Sequence, residues 1–537
     1  LSLESDVVKR YNQLKANRTN WEPGWAEISE QVIGRRPNFS YAQPQINGGR
    51  QLKNQIFDGT GMQSAQLFTS VVSSLLTNPA TKWFMLSTAN PALMQDKEVA
   101  LWVEEAQEHL MFVLNRAQAA FQPQMHEMYT DLINYGTGAI SILNDPLDGL
   151  YLRSHNLSEM FLDEDSRGRI DTTYRRFEMT PRQVEQEYPG KSKTALKMID
   201  GKDDTKLEII QALQPNTEFG SGGLGDKPVA SIHVLNKGKG ELLRKGGFEE
   251  MPTLTPRWEK ESGEVYGRGP GWQALPDCKM ANLMSRTMLK AGQMAVDPPA
   301  IVNERAAIST LRLHAGGVTT VRDDGSGLPP VSFLDNRMRF NIGADLIRAR
   351  QVMIERSYHA DILEVFRQPN MTATQVLQLV QQVERILSPV LGRQQNELLE
   401  PLINRAFVIE SRAGRMPEPP QILLEGNNGE ITVEYQSPVA RAQKSQELEA
   451  LSGYTGRIFE MAQVAPQVLD LLNLDEIGRM MNDLSSVSEK TMNTPDQVAE
   501  IRAARAEREE REQALQQGLA MAEAAGKLPQ ESEETVQ

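Results

Sequence analysis

Apolar residues recur at helical spacing over most of the chain, and short apolar or alternating runs interrupt them mainly in the first half. Ile56, Met62, Leu67, Val71, Leu75 and Leu76 predict a helix over 54–77, ended by Asn78-Pro79. The run 82–86, Lys-Trp-Phe-Met-Leu, reads as a strand. Val99, Trp102, Val103, Ala106, Leu110 and Val113 share one face of a helix over 96–116. Phe121 to Tyr135 reads as a third helix, closed by Gly136 and Gly138 and followed by a strand over 139–143. The polar run 165–169 between two apolar or aromatic stretches predicts a hairpin turn. Thr180, Pro181 and Gln183 form a capping box with proline at the first helical position, and Met179 and Val184 are spaced for a hydrophobic staple. Residues 218–227 are glycine-rich and read as a mobile loop.

The middle of the chain carries two long helical patterns. One follows 267–271, with Pro276 near its first turns, and spans about 30 Å from Pro276 to Val296. Met280, Leu283, Met284, Met288, Ala291 and Ala295 make its apolar stripe, and Lys279, Asn282, Arg286, Lys290 and Gln293 a polar, partly basic one. Asp297-Pro298-Pro299 stops it. A small β-like module follows, with runs at 318–321 and 331–334 around the turn Asp323-Asp324-Gly325. The second long helix is expected over 342–366, broken by Arg367-Gln368-Pro369-Asn370. Met371, Thr372, Gln375 and Val376 supply another capping box and staple, and the helix they open continues to about Ala413, with kinks at Pro389 and Pro401. The last ninety residues are helical. Thr494-Pro495-Asp496-Gln497 starts a final helix towards Ala525, carrying Glu507–Arg511 and Arg508–Glu512 pairs one turn apart. Its apolar residues are sparse, which suits packing between subunits; residues 529–537 are acidic and expected to be disordered.

Length changes this picture by requiring several domains or subdomains: 537 residues exceed what one core supports. Net charge is −14, and an acidic surface repels phosphate rather than gripping DNA. A single cysteine, Cys278, excludes a disulfide framework within the chain and a zinc site built from cysteines. No apolar run reaches the ~18 residues of a membrane span, and residues 1–11 are too charged for a signal peptide.

Catalytic chemistry is hard to place. The six histidines, His109, His126, His155, His233, His314 and His359, form no HExxH or HxH pair, and each reads as a surface or capping residue. Gly190-Lys191-Ser192 lacks the upstream glycine of a phosphate loop. Gly267-Arg268-Gly269 precedes a helix without the third glycine of a dinucleotide fingerprint and reads as a turn. There is no GxSxG elbow. Residues 163–168 superficially resemble a calcium loop, but Arg167 and Tyr174 stand where ligand oxygens are needed. No catalytic residue, metal site or cofactor is expected.

Several segments, in one consistent order, resemble the portal (head-to-tail connector) family of short-tailed, podovirus-type bacteriophages. They are Tyr174-Arg175-Arg176-Phe177 leading into Met179-Thr180, Val265-Tyr266-Gly267-Arg268-Gly269-Pro270, and Ala274-Leu275-Pro276-Asp277 with the helix ending Ala295-Val296-Asp297-Pro298-Pro299. The series continues with 370–376 (Asn-Met-Thr-Ala-Thr-Gln-Val), Gly392-Arg393, the helix over 397–407 and the run 434–443. The resemblance covers roughly residues 55–443 and is weaker over 194–247 and after about 445.

The resemblance implies an α+β, mainly helical subunit with a wing, a two-helix stem, a small α/β clip, a helical crown and a C-terminal helix. The wing's N-terminal part would be 1–264, the first stem helix region 265–296, the clip 297–341, the second stem helix 342–366 and the tunnel loop 367–371. The wing's C-terminal part, a long kinked helix and a strand, would be 372–445, and the crown or barrel with the acidic tail 446–537. It implies a non-enzymatic ring of about twelve subunits at one capsid vertex, the channel for packaging and ejecting double-stranded DNA. Implied partners are the packaging terminase, the major capsid and scaffolding proteins and tail or adaptor proteins, with no membrane. The implied location is the virion, and the host cytoplasm during assembly. Arg367, Gln368, Pro369 and Asn370 would line the channel. Lys279, Arg286, Lys290, Arg348 and Arg356 are candidate channel-facing cations, with intersubunit ion pairs as the competing role. Arg305, Arg312, Arg322, Asp323 and Asp324 would face terminase and tail from the clip. Two other readings stay open. A head-completion or internal virion protein without a channel predicts a monomer, small oligomer or filament, and an enzyme predicts a pocket with converging polar groups.

Overall fold

The computed structural model describes residues 3–34, 56–79, 81–146, 148–217, 227–237, 240–296, 300–302, 331–333, 340–360, 373–424, 431–435, 438–463, 465–485, 491–493 and 495–525. They form two compact units: Leu1–Met85, His109–Met416 and Val433–Val439 in one, Leu86–Glu108, Pro417–Thr432 and Ala440–Gln537 in the other. The chain is mainly helical, with antiparallel sheets.

The first unit begins with a helix, α1 (Leu3–Arg18), that the opening charged residues conceal. Val7, Tyr11, Leu14 and Arg18 recur every three or four residues, and all four are buried. The three apolar ones pack on one face of a five-stranded antiparallel sheet of β4 (Met160–Glu164), β5 (Ile170–Met179), β6 (Leu207–Pro215), β7 (Val229–Leu235) and β8 (Glu241–Phe248), in sequential order. That face presents Phe161, Tyr174, Ile210, Ala212, Ala230, Ile232 and Val234. The expected hairpin at 165–169 joins β4 to β5, with Asp165 N donating to Arg169 O and Gly168 at φ 78°. Over part of the opposite face lie α6 (Pro181–Glu187) and α7 (Lys193–Asp200), where Val184, Tyr188 and Ala195 meet Leu207, Ile209, Leu235 and Leu243. The capping box that opens α6 is formed as read, and Met179 packs with Val184 in the same cluster.

A helical layer adjoins these strands. It holds α2 (Glu22–Ile28), a π turn at Ser29–Ile33, α3 (Thr60–Leu76) and the deeply buried α5 (Phe121–Tyr135), with a sheet ordered β3 (Gly149–Ser154), β2 (Ile140–Asp145), β9 (Thr253–Leu254). The boundaries of α5 match the expectation, because Gly136 takes the left-handed cap at φ 89°. The start of α3 does not match: Phe57 and Asp58 donate their backbone N–H groups to Asn282 Oδ1, and Asp58 Oδ1 accepts from Thr60 N, so the helix opens at Thr60. The strand expected at 82–86 is β1, Phe84–Thr88, shifted by two residues. A helix, α4 (Lys97–Asn115), follows it as expected.

Two long helices, α8 (Pro270–Val296) and α9 (Phe340–Ser357), pack on each other in this unit. The first starts at Pro270, inside the glycine segment expected to precede it, and holds Pro276 in its second turn. The second was expected to reach residue 366. It ends at Ser357, since Tyr358 is fully buried with its hydroxyl donating to Asn134 Oδ1 at 3.0 Å, and His359 takes φ 52°. Strand β11 (Val331–Phe333) pairs with β10 (Ala300–Val302), a segment for which no strand was expected, so its observed partner is not the run at 318–321, which lies outside the described residues. The helix Ala373–Gln394 passes through Pro389, and a π turn at Gln395–Leu399 precedes the helix Glu400–Arg412, whose first turn holds Pro401. The capping residues Met371 and Thr372 and the Gly-rich stretch 218–226 lie outside the described residues.

The second unit is helical. Its longer helices are Pro438–Ala462, Leu474–Ser485 and Pro495–Ala525, the last ending where expected. Arg502 forms an ion pair with Asp475, and Arg511 with Glu507 at 3.9 Å.

Candidate functional site

The helix pair α8–α9 holds all five candidate cations, and its base is built by glycines. A Cβ on Gly267 would stand 2.3 Å from Gly136 O, one on Gly269 2.2 Å from Ile133 O and one on Gly271 2.3 Å from Asn134 O. The Gly267–Gly271 segment is therefore not a simple turn: it is where the start of α8 lies backbone to backbone on the end of α5. The Nε1 of Trp25 (3.3 Å) and of Trp272 (2.8 Å) both donate to Tyr135 O, a carbonyl in the last turn of α5. Arg268 lies over the rings of Trp21 and Trp272.

Above that base, Arg350 of α9 pairs with Asp277 of α8 at 3.0 Å, and Gln351 donates to Asp58 Oδ2. Asn282, expected on the polar stripe, is buried: it accepts from Phe57 and Asp58 and donates to Gln31 Oε1 at 3.0 Å. Cys278 is buried beside it, its thiol pushed up to about 12 by burial and then by Asp58 and Asp277, which leaves it protonated and inert. Much of the expected apolar stripe faces outward. Leu283 is 64% exposed, and Met280, Leu289, Met294 and Val296 are exposed with it, as are Ile342, Leu346 and Met353 on α9.

The five cations differ in their surroundings. Lys279 pairs with Glu27 at 3.0 Å, and Arg348 with Glu355 of its own helix at 3.6 Å. Arg286 stands 5.9 Å from the Phe57 ring. Lys290 and Arg356 are exposed. On α8, Lys279, Arg286 and Lys290 lie seven and four residues apart, along one stripe. The other candidates, Arg367, Gln368, Pro369 and Asn370 of the loop and Arg305, Arg312, Arg322, Asp323 and Asp324 of the clip, lie outside the described residues.

The buried ionic centre of this unit was not foreseen. The Arg257 side chain, 3% exposed, pairs with Glu164 at 3.0 Å and Glu397 at 2.8 Å and donates to Gly168 O, while Lys260 also meets Glu164. It ties the β4–β5 hairpin to the π turn before the helix Glu400–Arg412. A second buried cation, Arg18, donates to Leu157 O, Ser158 O and Met160 O and lies 3.9 Å from the Phe161 ring. Arg18 also pairs with Glu22 four residues on, at 2.8 Å, but neither arginine's spacing gives a hint of partners about 90 to 140 residues away.

Of the histidines read as surface or capping residues, one is buried and another half-buried. His155 is buried, with Nε2 at 2.8 Å from Ser141 Oγ, and burial followed by Arg175 and Arg153 holds its pKa well below the usual value. His233 Nδ1 lies 2.6 Å from the Tyr188 hydroxyl, and its pKa is pushed down to about 4 by burial, then by Arg244 and Arg175. His109 instead meets the buried Glu410, which Arg415 also holds at 2.6 Å. Among the described residues no group of histidine, cysteine and carboxylate side chains is arranged to hold a metal ion.

What these residues define is a mainly helical scaffold whose buried ionisable groups tie distant elements together. The sequence profile of the family described as "Bacteriophage head to tail connecting protein" matches residues 4–492. The portal protein of Salmonella phage epsilon15 is 31% identical over 482 residues, 88% of this chain and 85% of that one. A probable portal protein of Bordetella phage BPP-1 is 28% identical over 480 residues, 87% and 85%. Among solved structures, a chain of a native gene transfer agent virion aligns at a TM-score of 0.37 with 10% identity, over 80% of this chain and 89% of that one. The chain belongs to the bacteriophage head-to-tail connecting protein family.

Proposed function

We propose that the chain is a portal subunit: copies of it close into a ring at one capsid vertex, and DNA is packaged and ejected through the ring's channel. Family membership supports the connector role, and two relatives are named as a portal protein and a probable portal protein. The observation that carries the ring is the unpartnered apolar surface of the α8–α9 pair. Leu283, Leu289 and Met294 on one helix and Ile342, Leu346 and Met353 on the other stay exposed on a single copy, an arrangement that a neighbouring copy would bury. The ring is non-enzymatic in this reading and resides in the virion after assembly in the host cytoplasm.

In the same reading 265–296 and 342–366, which contain most of α8 and α9, are the stem, 297–341 the clip, 367–371 the tunnel loop, 1–264 and 372–445 the wing and 446–537 the crown or barrel. The clip, with Arg305, Arg312, Arg322, Asp323 and Asp324, meets terminase during packaging and tail proteins afterwards; capsid and scaffolding proteins surround the ring. A ring of about twelve copies carries a charge of about −170, which weakens its hold on DNA and favours sliding. Lys290 and Arg356 are the best-placed channel cations, since Lys279 and Arg348 already have carboxylate partners.

Electron microscopy of the purified protein tests this reading. Closed rings with a hole of about 20 Å or more, the width of a duplex, are expected, and their rotational symmetry gives the copy number. Monomers or open filaments with no hole, in the presence of scaffolding protein as well, contradict it. Replacing residues 367–370 with glycine and serine should leave the ring intact and reduce packaged DNA; unchanged packaging removes the loop from the mechanism.

A further inference from the structure

The unit that carries the five-stranded sheet also contains a cleft of about 690 Å³, a volume within the range of binding pockets. Its floor is the part of the sheet that α6 and α7 leave bare: Arg175 and Phe177 of β5, Gln211 of β6, His233 of β7 and Arg244 of β8. Arg153 of β3 and Arg405 and Arg412 of the helix Glu400–Arg412 form the walls, and Lys227 stands at the entrance to β7. Six cations thus line one cleft with two carboxylates, Glu187 and Glu249, in a chain whose net charge is −14.

Four of the six are held by the fold. Arg175 pairs with Glu159 at 3.0 Å and stacks on Phe177; Arg244 stands 4.0 Å from Glu187. Arg405 donates to Ile142 O at 2.9 Å, and Arg412 reaches Glu250 at 3.4 Å. Arg153 and Lys227 are exposed and make no ion pair among the described residues. Neither stabilises the fold by a charge contact seen here, yet both add positive potential to the same cleft. The field is visible in His233, kept neutral by burial and by Arg244 and Arg175.

We propose that this cleft binds an extended, acidic peptide segment of a partner protein. Two features favour a peptide over nucleic acid. The cations converge on one bounded cleft rather than a stripe that could track a phosphate backbone. And β8, which lines the cleft through Arg244, Gly246 and Phe248, is the last strand of its sheet among the described residues, so its outer backbone groups are available to an added strand. A Cβ on Gly246 would meet nothing within 4 Å, so the cleft is open over that strand. Phe177, Tyr188 and Phe248 offer apolar surface for alternate side chains of the same peptide.

The test is fluorescence anisotropy of a labelled nonapeptide of alternating Glu and Val, titrated with the full chain and with the double variant Arg153→Glu, Lys227→Glu. Saturable binding is expected, weakened about tenfold or more in the variant and falling as salt rises through the range that screens surface charge. An unchanged melting temperature shows that the variant is folded. Equal affinity for both proteins, or no binding up to about 1 mM peptide, overturns the proposal. Tighter binding of an oligothymidylate of equal charge, lost in the same variant, overturns the peptide assignment in favour of nucleic acid.

Discussion

At the scale of single residues, the side chains that matter most are buried ions. Arg257 is surrounded by Glu164, Glu397 and two carbonyls, Gly168 O and Val265 O, and an apolar replacement would leave Glu397 without its cation and Glu164 with Lys260 alone. Arg257→Met should therefore cost about 3 kcal/mol or more, read as a lowered urea midpoint; a loss below about 1 kcal/mol would mean the glutamates rehydrate freely. Histidines add a pH dependence of definite sign. His233 ionises near 4 when folded and near 6.5 when unfolded, so between those values the unfolded chain binds the extra proton. Stability falls as pH drops from about 6.5 towards about 4, and His155, shifted in the same direction, adds to the fall. His233→Gln keeps an acceptor for the Tyr188 hydroxyl and removes one titrating group. Its urea midpoint should decline less between about pH 7 and about pH 4.5 than that of the unaltered protein. Equal declines would remove His233 as a cause.

At the scale of elements, two glycine substitutions separate packing from propensity. Gly271 begins α8 where any Cβ would press on Asn134 O, so Gly271→Ala must push α8 off α5 and should lower stability by about 1–3 kcal/mol. Gly453 is exposed within the helix Pro438–Ala462 and has open space around it, so Gly453→Ala should raise stability by about 1 kcal/mol. Urea titration of each variant checks both signs. The contrast explains which parts of the fold were legible. Helices α4, α5 and the final helix, and the start of α6, were read nearly to the residue, because their apolar period and caps are local signals. The start of α3 and the end of α9 were misread, because Asn282 and the Tyr358–Asn134 bond come from distant segments. Helix α1 was missed although Val7, Tyr11 and Leu14 carry the period, since the charged residues between them dominate so short a window. Of the candidate site, the cation stripe Lys279–Arg286–Lys290 could be read from spacing alone, whereas the basic cleft joins β3, β5, β8 and a helix after residue 400.

At the scale of the whole molecule, the question is what covers the apolar surface of the α8–α9 pair. On α9, Gly343, Ile347, Arg350 and Ile354 share one face, and that face is fixed: Gly343 lies on Met288, Arg350 on Asp277, and Ile354 is fully buried. Ile342, Leu346 and Met353 follow the same spacing on a neighbouring face and remain exposed, while Arg348 projects from a different side and pairs with Glu355. If copies pack through the apolar stripe, a carboxylate at its centre must be desolvated at every interface of a ring, and the cost is repeated with each copy. A single copy bears no such cost, because Leu346 is already in contact with water. Leu346→Glu should thus abolish closed rings, leaving a species of monomer mass by light scattering with an unchanged circular dichroism spectrum. Arg348→Ala should assemble as the unaltered protein does, since only an exposed pair worth at most about 1 kcal/mol is lost. Rings that persist in Leu346→Glu would move the subunit interface away from this stripe, and dispersal of Arg348→Ala alone would show that charge, rather than apolar contact, closes the ring.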